Sequence, residues 1–434
     1  MSDIAEQSIK IQHLYRQALS LLVYRHILDE AASRALLDLL RSLMRPPSPE
    51  NEADILQAYG QWFYAANDMS PSWQNRVETQ ILAADNPFTR QAQHHDLSAL
   101  PQNLVEAARH DLNILQQWAI QGPQWVQAAI AYKTTVTLPI LESSSTHESD
   151  CAFDFAAFSN WADALPALVQ HYGQEGIGLF AQYKALRWRN SLLEGIDHPD
   201  TIQLSDLVGY DWQQMALKQN TEALLAGYTA LNVLLYGSRG SGKSALIKAL
   251  MNEYGDRGLR LIELNKADMI HLPQVTERLR TSPLKFVIFI DDLSFEEEED
   301  AYKALKVVLE GNLTARPQNV AMYATSNRRH LIREFFGDRP RPSNAEEIHA
   351  WDTFQEKLSL SDRFGLTLTF EPATQETYLQ IVHHLAERSQ INVRKDELTH
   401  QALQWAVRQN VRSGRTARQF IDHLRGQQAL TRKN

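Results

Sequence analysis

One stretch decides how this chain of 434 residues is interpreted, namely Gly237-Ser238-Arg239-Gly240-Ser241-Gly242-Lys243-Ser244. It matches the phosphate-binding pattern G-x-x-x-x-G-K-[ST] at every fixed position. An apolar run at 231–236 precedes it, and a helix-forming run at 245–254 follows it. Because the pattern requires that context, the sequence predicts a phosphate-binding loop between a buried strand and a helix. The alternative, a glycine-rich turn that binds nothing, is disfavoured by the flanking runs.

The residue types of the loop suit a nucleoside triphosphate with Mg²⁺. Glycines let backbone N–H groups turn toward phosphate oxygens, and the start of the next helix carries partial positive charge. We expect Lys243 to contact the β- and γ-phosphates and Ser244 to ligate Mg²⁺. The loop residues predicted to bind nucleotide are Gly237, Ser238, Arg239, Gly240, Ser241, Gly242, Lys243, Ser244 and Ala245.

Composition indicates an ordinary globular chain of two or three domains. Its formal net charge of -9 argues against a protein that coats nucleic acid or an anionic membrane, but it allows a local basic surface. Cys151 is the only cysteine, so no disulfide can form within the chain. No apolar stretch approaches the ~20 residues of a membrane span, and the first residues lack a signal-peptide pattern. We therefore expect a cytoplasmic protein without a membrane contact.

Apolar patterning separates a helical N-terminal part from an α/β part. Up to about residue 132, apolar residues recur at three- and four-residue steps. From about residue 204, short apolar runs alternate with amphipathic segments, which predicts a parallel sheet flanked by helices. The predicted strands are 232–236, 259–263, 286–290, 320–325 and 366–370, and further helices are expected after residue 372.

These patterns, together with two polar stretches, divide the chain into four predicted segments. The polar stretch 141–150 lacks periodicity and is interpreted as a linker. Just before the α/β part lies a basic, aromatic stretch with Lys184, Arg187 and Arg189. It could contact nucleic acid or a partner, but a helix end with a solvated charged face is favoured. The predicted segments are an all-helical N-terminal domain (1–140), a linker and connecting segment (141–200), a nucleotide-binding core (201–372) and a helical lid (373–434).

Two predicted strands end in polar side chains that suit catalysis beside a phosphate-binding loop. The run 286–290 leads into Asp291 and Asp292. We expect Asp291 to hold Mg²⁺ and Asp292 to orient the attacking water, although a helix N-cap is the alternative for the pair. The run 320–325 leads to Asn327, whose side chain could hydrogen-bond a γ-phosphate or the attacking water. The alternative for Asn327 is an ordinary turn.

Arginines at two further places are candidates for phosphate contacts. Arg363 can stabilise charge on a γ-phosphate as an arginine finger, or it can form a structural ion pair with Asp362 or another acid. Chemistry alone leaves both open. Arg415 and Arg418 open the last predicted helix, where a cation opposes the helix dipole, so an anion is expected nearby. Arg418 is the better candidate, Arg415 is the alternative, and a solvated basic face is the third interpretation.

These motifs, in this order over about 201–430, resemble those of AAA+ ATPases. The loop resembles Walker A, and Ile290-Asp291-Asp292 resembles Walker B. The strings most similar to one bacterial AAA+ family, a domain of unknown function called DUF815, are Leu235-Tyr236-Gly237-Ser238-Arg239-Gly240, Asp291-Asp292-Leu293-Ser294-Phe295 and Ala324-Thr325-Ser326-Asn327-Arg328-Arg329-His330. The resemblance implies a P-loop α/β core with a C-terminal helical lid.

The resemblance also implies roles for residues outside the loop. The segment Leu207-Val208-Gly209-Tyr210 matches the part that contacts adenine. Asn327 matches the sensor-one position, Arg418 matches sensor two, and Arg363 matches the arginine finger. A finger acts on the nucleotide of a neighbouring subunit, so nucleotide-dependent homo-oligomers, as rings or filaments, are implied. ATP and Mg²⁺ are the implied cofactors.

One departure shapes the expected function. Most AAA+ proteins end Walker B in Asp-Glu, whereas this chain has the shorter Asp292, so hydrolysis is expected to be slow. We expect an ATPase that drives or switches a conformational or assembly change in a macromolecular partner recognised by the N-terminal domain. The alternative is a DNA-binding switch, because Asp291-Asp292 with Phe295 also resembles helicase loaders and initiators. A non-catalytic scaffold is a further rival, and a small-molecule kinase is disfavoured by the arginines.

Overall fold

The chain divides into two compact units, Met1–Gln182 and Tyr183–Asn434. The computed structural model describes residues 2–68, 72–139, 141, 153–295, 304–306, 308–309, 317–327 and 363–431. Asp362 and nearly all of the polar stretch 141–150 lie outside these residues. The finer division into four segments remains a prediction.

Every described element of the first unit is helical, as expected from the sequence. Its core holds fully buried tryptophans, and the indole of Trp73 donates to the carbonyl of Trp118 at 2.9 Å. The buried carboxylate of Asp111 ends the first helix, because it accepts the backbone N–H groups of residues 22–24 at 2.8–3.0 Å. The α-helices are α1 (Ser2–Leu19), α2 (Ala31–Met44), α3 (Pro49–Asn67), α4 (Trp73–Leu82), α5 (Pro87–Ala92), α6 (Gln102–Gln116), α7 (Gly122–Lys133), α8 (Leu165–Glu175) and α9 (Leu179–Gln182).

The second unit contains a seven-stranded sheet. Along the sheet the order is β2-β1-β4-β5-β6-β3-β7, and all neighbours are parallel except the β1–β2 pair. Strands β5 and β6 are buried almost throughout, which explains their continuous apolar runs. The strands are β1 (Ala185–Arg189), β2 (Leu192–Gly195), β3 (Val233–Gly237), β4 (Leu259–Leu264), β5 (Lys285–Ile290), β6 (Val320–Ser326) and β7 (Leu366–Phe370).

The helix end expected at the basic, aromatic stretch is wrong. The stretch forms β1, where Leu186 and Trp188 are buried while Arg187 and Arg189 are exposed. This period of two is that of a half-buried strand. The segment predicted to connect two domains therefore contributes β1 and β2 to the sheet.

In the described part of the chain, helices flank the sheet, and a further three helices after β7 form a C-terminal bundle that we call the lid. The lid has its own core, in which Tyr378, Ala402 and Phe420 are buried. The predicted fold, a parallel P-loop sheet with a helical lid and an all-helical N-terminal domain, is thereby confirmed. The flanking helices are α10 (Asp211–Leu225), α11 (Lys243–Tyr254) and α12 (Leu272–Arg280), and the lid helices are α13 (Gln375–Arg388), α14 (Lys395–Gln409) and α15 (Gly414–Thr431).

Sheet order places the polar strand ends side by side. Strand β6 lies between β3 and β5, so the loop after β3, the acids after β5 and Asn327 after β6 share one edge. In open parallel sheets, ligands bind outside the carboxyl ends of the strands. None of the helices in the described part of the chain is long and apolar enough to cross a membrane.

Candidate nucleotide-binding site

The loop after β3 has a backbone that only glycine allows at its start. Gly237 has φ 139°, and a Cβ there would lie 1.9 Å from the carbonyl oxygen of Phe370. The next N–H, that of Ser238, donates to the same carbonyl at 2.9 Å. This contact fixes the loop against β7. Farther along, the N–H groups of Gly240 and Gly242 meet no acceptor in the described residues, so they remain available for an anion.

Lys243 lies across the loop. Its Nζ donates to the carbonyls of Gly237 and Ser238 at 3.0 and 2.7 Å, and only 6% of the residue is exposed. Burial lowers the pKa of Lys243, because it removes water from the ammonium group, and the nearby carboxylates of Asp291 and Asp292 oppose that shift. No carboxylate among the described residues forms an ion pair with this ammonium, so a bound phosphate would supply an anionic partner at close range.

Asp291 connects α11 to the end of the sheet. Its Oδ1 accepts a hydrogen bond from the Ser244 hydroxyl at 2.7 Å and another from the Thr325 hydroxyl at 2.5 Å. A serine hydroxyl beside a carboxylate is a hard oxygen donor set, which suits Mg²⁺ held together with phosphate oxygens. The two residues predicted to hold Mg²⁺ are therefore in direct contact.

The second acid is paired with the residue predicted at sensor one. The Asn327 amide nitrogen donates to Oδ1 of Asp292 at 2.6 Å. Asp292 has φ 51°, in the left-handed region, and its N–H donates to the Thr325 hydroxyl at 3.0 Å. Asp292 and Asn327 thus form a single polar cluster beside the loop.

The segment 207–210 lies between the loop and the lid. Gln214 on α10 donates to the carbonyls of Leu207 and Gly209 at 3.2 and 2.8 Å, which fixes the segment's path. The ring of Tyr210 packs on Phe370 with centroids 4.9 Å apart. A Cβ on Gly209, which has φ 81°, would lie 2.9 Å from the lid residue Thr377. The segment therefore contacts the lid closely.

The lid also contacts the loop directly. The N–H of Arg415 donates to the carbonyl of Gly240 at 3.3 Å, at the start of α15. The charge of Arg415 also contributes to lowering the pKa of Lys243. Arg415 and Arg418 both line the cleft between lid and loop. Both arginines therefore remain candidates for a phosphate contact.

These elements enclose a cleft of about 770 Å³, within the ~300–1,000 Å³ usual for small-molecule sites. Arg363 is half-buried and is not among the residues that line it. Most of the predicted site residues do line the cleft: Leu207, Val208, Gly209, Tyr210, Arg239, Gly240, Ser241, Gly242, Lys243, Ser244, Ala245, Asp291, Asp292, Asn327, Arg415 and Arg418.

Some lining residues were not predicted from the sequence. Thr325 is the penultimate residue of β6 and resembles an ordinary strand residue in the sequence, although its position two residues before Asn327 could have identified it. Ile381 and Leu385 lie one turn apart on α13 and line the cleft from the lid. Their spacing predicts a helix face, but it does not distinguish a core position from a ligand contact.

The basic stretch considered for nucleic acid is largely neutralised. Arg187 pairs with Glu263 at 2.7 Å, and Lys184 pairs with Asp256. Of the three cations, Arg189 alone has no carboxylate partner in the described part of the chain. This surface therefore does not favour a phosphate-backbone contact.

The solved structures that are similar to this chain share little sequence with it. A search of curated protein sequences finds no match. Among solved structures, Thermotoga maritima RuvB, a Holliday junction branch migration motor, is similar at 13% identity and a TM-score of 0.32, over 51% of this chain and 71% of RuvB. A DNA replication initiation factor is similar at 18% identity and a TM-score of 0.32, over 55% of this chain and 69% of the other. Likeness at this level carries no conclusion about activity.

A protein family gives a firmer result. The model of the family described as "Protein of unknown function (DUF815)" matches residues 181–428, which span the α/β unit and the lid. Because that match covers more than half of the sequence, the chain belongs to the DUF815 family.

Proposed function

We propose that the chain is an AAA+ ATPase that binds ATP with Mg²⁺ and hydrolyses it slowly to switch a macromolecular partner. One observation carries the proposal: an ammonium, a hydroxyl–carboxylate pair and an acid–amide pair meet in a single cleft. Lys243 lies over the loop, Ser244 contacts Asp291, and Asn327 contacts Asp292. This combination matches the groups that phosphoryl transfer requires.

Each group has a distinct role in the proposal. The loop amides and Lys243 hold the β- and γ-phosphates, and the segment 207–210 contacts the base. Ser244 and Asp291 would hold Mg²⁺, which supplies neutralisation of phosphate charge when bound. Asp292 orients the attacking water as a general base. Asn327 donates to the γ-phosphate or to the same water.

Slow turnover is supported by the contact between Asp292 and Asn327. An oxygen of Asp292 already accepts a hydrogen bond of 2.6 Å from the Asn327 amide. This hydrogen bond engages one oxygen of Asp292 and one N–H of Asn327, so each side chain restricts how the other can turn toward water and phosphate. A protein that keeps ATP bound for long periods suits a switch better than a fast motor.

Recognition of the partner is assigned to the helical N-terminal unit. The helical unit Met1–Gln182 has its own core and is proposed to recognise a macromolecule. Arg363 is proposed to act on the nucleotide of a neighbouring copy, because it does not line the cleft of its own chain. A loader-like switch that binds DNA through the basic stretch gains no support, since Lys184 and Arg187 are paired with carboxylates.

The variant Lys243→Ala tests the proposal. Without the ammonium, ATP binding should weaken by at least about tenfold and phosphate release should fall to background, because phosphate charge is no longer matched. Isothermal titration with ATP and a phosphate-release assay measure the two effects. Lys184→Ala is the matched control: it removes an exposed, ion-paired lysine of the same unit that does not line the cleft. Unchanged binding and turnover in Lys243→Ala would refute the proposal.

A further inference from the structure

Thr325 is the most deeply buried polar side chain of the cleft. It is 2% exposed and lies at the end of β6. Its hydroxyl donates to Oδ1 of Asp291 at 2.5 Å and accepts the N–H of Asp292 at 3.0 Å. A single hydroxyl therefore links both acids that follow β5, using its donor and an acceptor lone pair.

The hydrogen bonds of Asp291 are unequally divided between its two oxygens. Oδ1 accepts from the hydroxyls of Ser244 and Thr325, and the N–H of Asp292 approaches it at 3.2 Å. Oδ2 meets no donor in the described part of the chain, although Asp291 lines the cleft. The carboxylate is thus held by one oxygen, and the other is left for a ligand.

We propose that Thr325 is a positioning residue, which orients Asp291 so that Oδ2 is presented to the cation and fixes the backbone that carries Asp292. The inference rests on the proposed function, since it assigns how that site is organised. Groups that hold a metal-binding carboxylate in one orientation affect metal affinity by about 10–100-fold. Thr325 acts through Asp291 and Asp292, and it need not touch nucleotide itself.

The hydroxyl, rather than the volume of the side chain, is required. Valine has nearly the same shape but can neither donate to Asp291 nor accept from Asp292, whose N–H then keeps only its contact of 3.2 Å with Oδ1 of Asp291. Serine keeps the hydroxyl and loses only a methyl group. The comparison of Thr325→Val with Thr325→Ser therefore separates positioning from packing.

The test measures ATP affinity with a fluorescent ATP analogue, in EDTA and across a Mg²⁺ titration. Thr325→Val should bind the analogue like the wild type in EDTA. In the titration, its half-saturating Mg²⁺ concentration should rise by about tenfold, while Thr325→Ser stays near the wild type. Should the valine variant fail to fold, Thr325→Ala carries the same prediction.

A neighbouring hydroxyl provides the matched control. Ser326 is 1% exposed and donates to the carbonyl of Leu293 at 2.8 Å, next to the same acids. Ser326→Ala therefore removes a buried hydrogen bond of this loop without removing one from Asp291, and its Mg²⁺ dependence should be that of the wild type. A wild-type Mg²⁺ dependence in Thr325→Val, or an equal shift in Ser326→Ala, overturns the positioning role. Neither result changes the effect expected for Lys243→Ala, so failure of the positioning role can be distinguished from failure of the proposed function.

Discussion

The left-handed backbone at residue 292 explains why an aspartate follows the first acid. With φ at 51°, Asp292 occupies a region that disfavours most side chains but tolerates Asp and Asn, whose short polar groups can bond locally. The contact of 2.6 Å with Asn327 suits that short side chain. A glutamate would be one methylene longer and would need another backbone or another contact. The departure from Asp-Glu is therefore coupled to the geometry of this turn.

Replacement of Asp292 by glutamate should accordingly not raise the proposed rate of ATP hydrolysis. Asp292→Glu is expected to lose ~1 kcal/mol of stability, because the left-handed backbone costs more for glutamate. Turnover should not rise above that of the wild type. Thermal melting and phosphate release measure both effects. Asp292→Asn is the control: it keeps the backbone preference, so it should melt like the wild type and bind ATP but not hydrolyse it. Faster turnover in a fully stable Asp292→Glu would contradict this account.

At the scale of elements, continuous apolar runs made the buried strands predictable. The run predicted at 286–290 forms β5, and that at 320–325 forms β6, because both strands are covered on both faces. The acids and Asn327 were identified as candidates for the same reason, since polar residues at the end of a buried strand interrupt an apolar run. Strands β1 and β2 were not predicted. Exposed arginines alternate with buried residues in β1, so it has no continuous apolar run, and the turn at Asn190 and Ser191 lacks the glycine that usually marks a hairpin.

Contacts between elements distant in sequence could not be predicted. The N–H of Arg415 meets the carbonyl of Gly240, and Gly209 faces Thr377, although each pair is far apart in the chain. Local residue patterns carry no information about such pairs. Hence the sequence identified the lid arginines as candidates. It did not identify Ile381 and Leu385 as residues that line the cleft.

The contact between the segment 207–210 and the lid can be tested with two glycines. Gly209→Ala and Gly227→Ala both place a side chain at positive φ, 81° and 83°, so each should lose ~1–2 kcal/mol of stability. Only at Gly209 does the new Cβ meet another element, Thr377 at 2.9 Å, whereas nothing lies within 4 Å at Gly227. We expect Gly209→Ala alone to weaken ATP binding, by several-fold in a titration. Equal ATP affinity in both variants would show that the spacing between this segment and the lid is unimportant.

At the scale of the whole molecule, the cleft of one chain is lined by every residue predicted for catalysis or for Mg²⁺ except Arg363. The loop, the acids and the lid arginines line one cleft in the unit Tyr183–Asn434, and Arg363 is absent from that lining. If Arg363 acts in a neighbouring copy, an active site consists of a loop from one chain and an arginine from another. Head-to-tail contacts of this kind build rings or filaments.

Mixing two inactive variants tests that arrangement directly. Lys243→Ala keeps Arg363 but has a defective loop, and Arg363→Ala keeps the loop but lacks the arginine. Each alone should release phosphate at background rates, and Arg363→Ala should still bind ATP. In an equal mixture, about one quarter of the interfaces combine an intact loop with an intact arginine, since each half is correct about half of the time. Phosphate release should recover to about that fraction of the wild-type rate.

The control replaces Lys243→Ala by the double variant Lys243→Ala/Arg363→Ala, which supplies no arginine and should rescue nothing. Full activity of Arg363→Ala on its own would place the arginine outside catalysis, and equal rescue by the double variant would show that the recovered activity comes from contact between chains and not from Arg363.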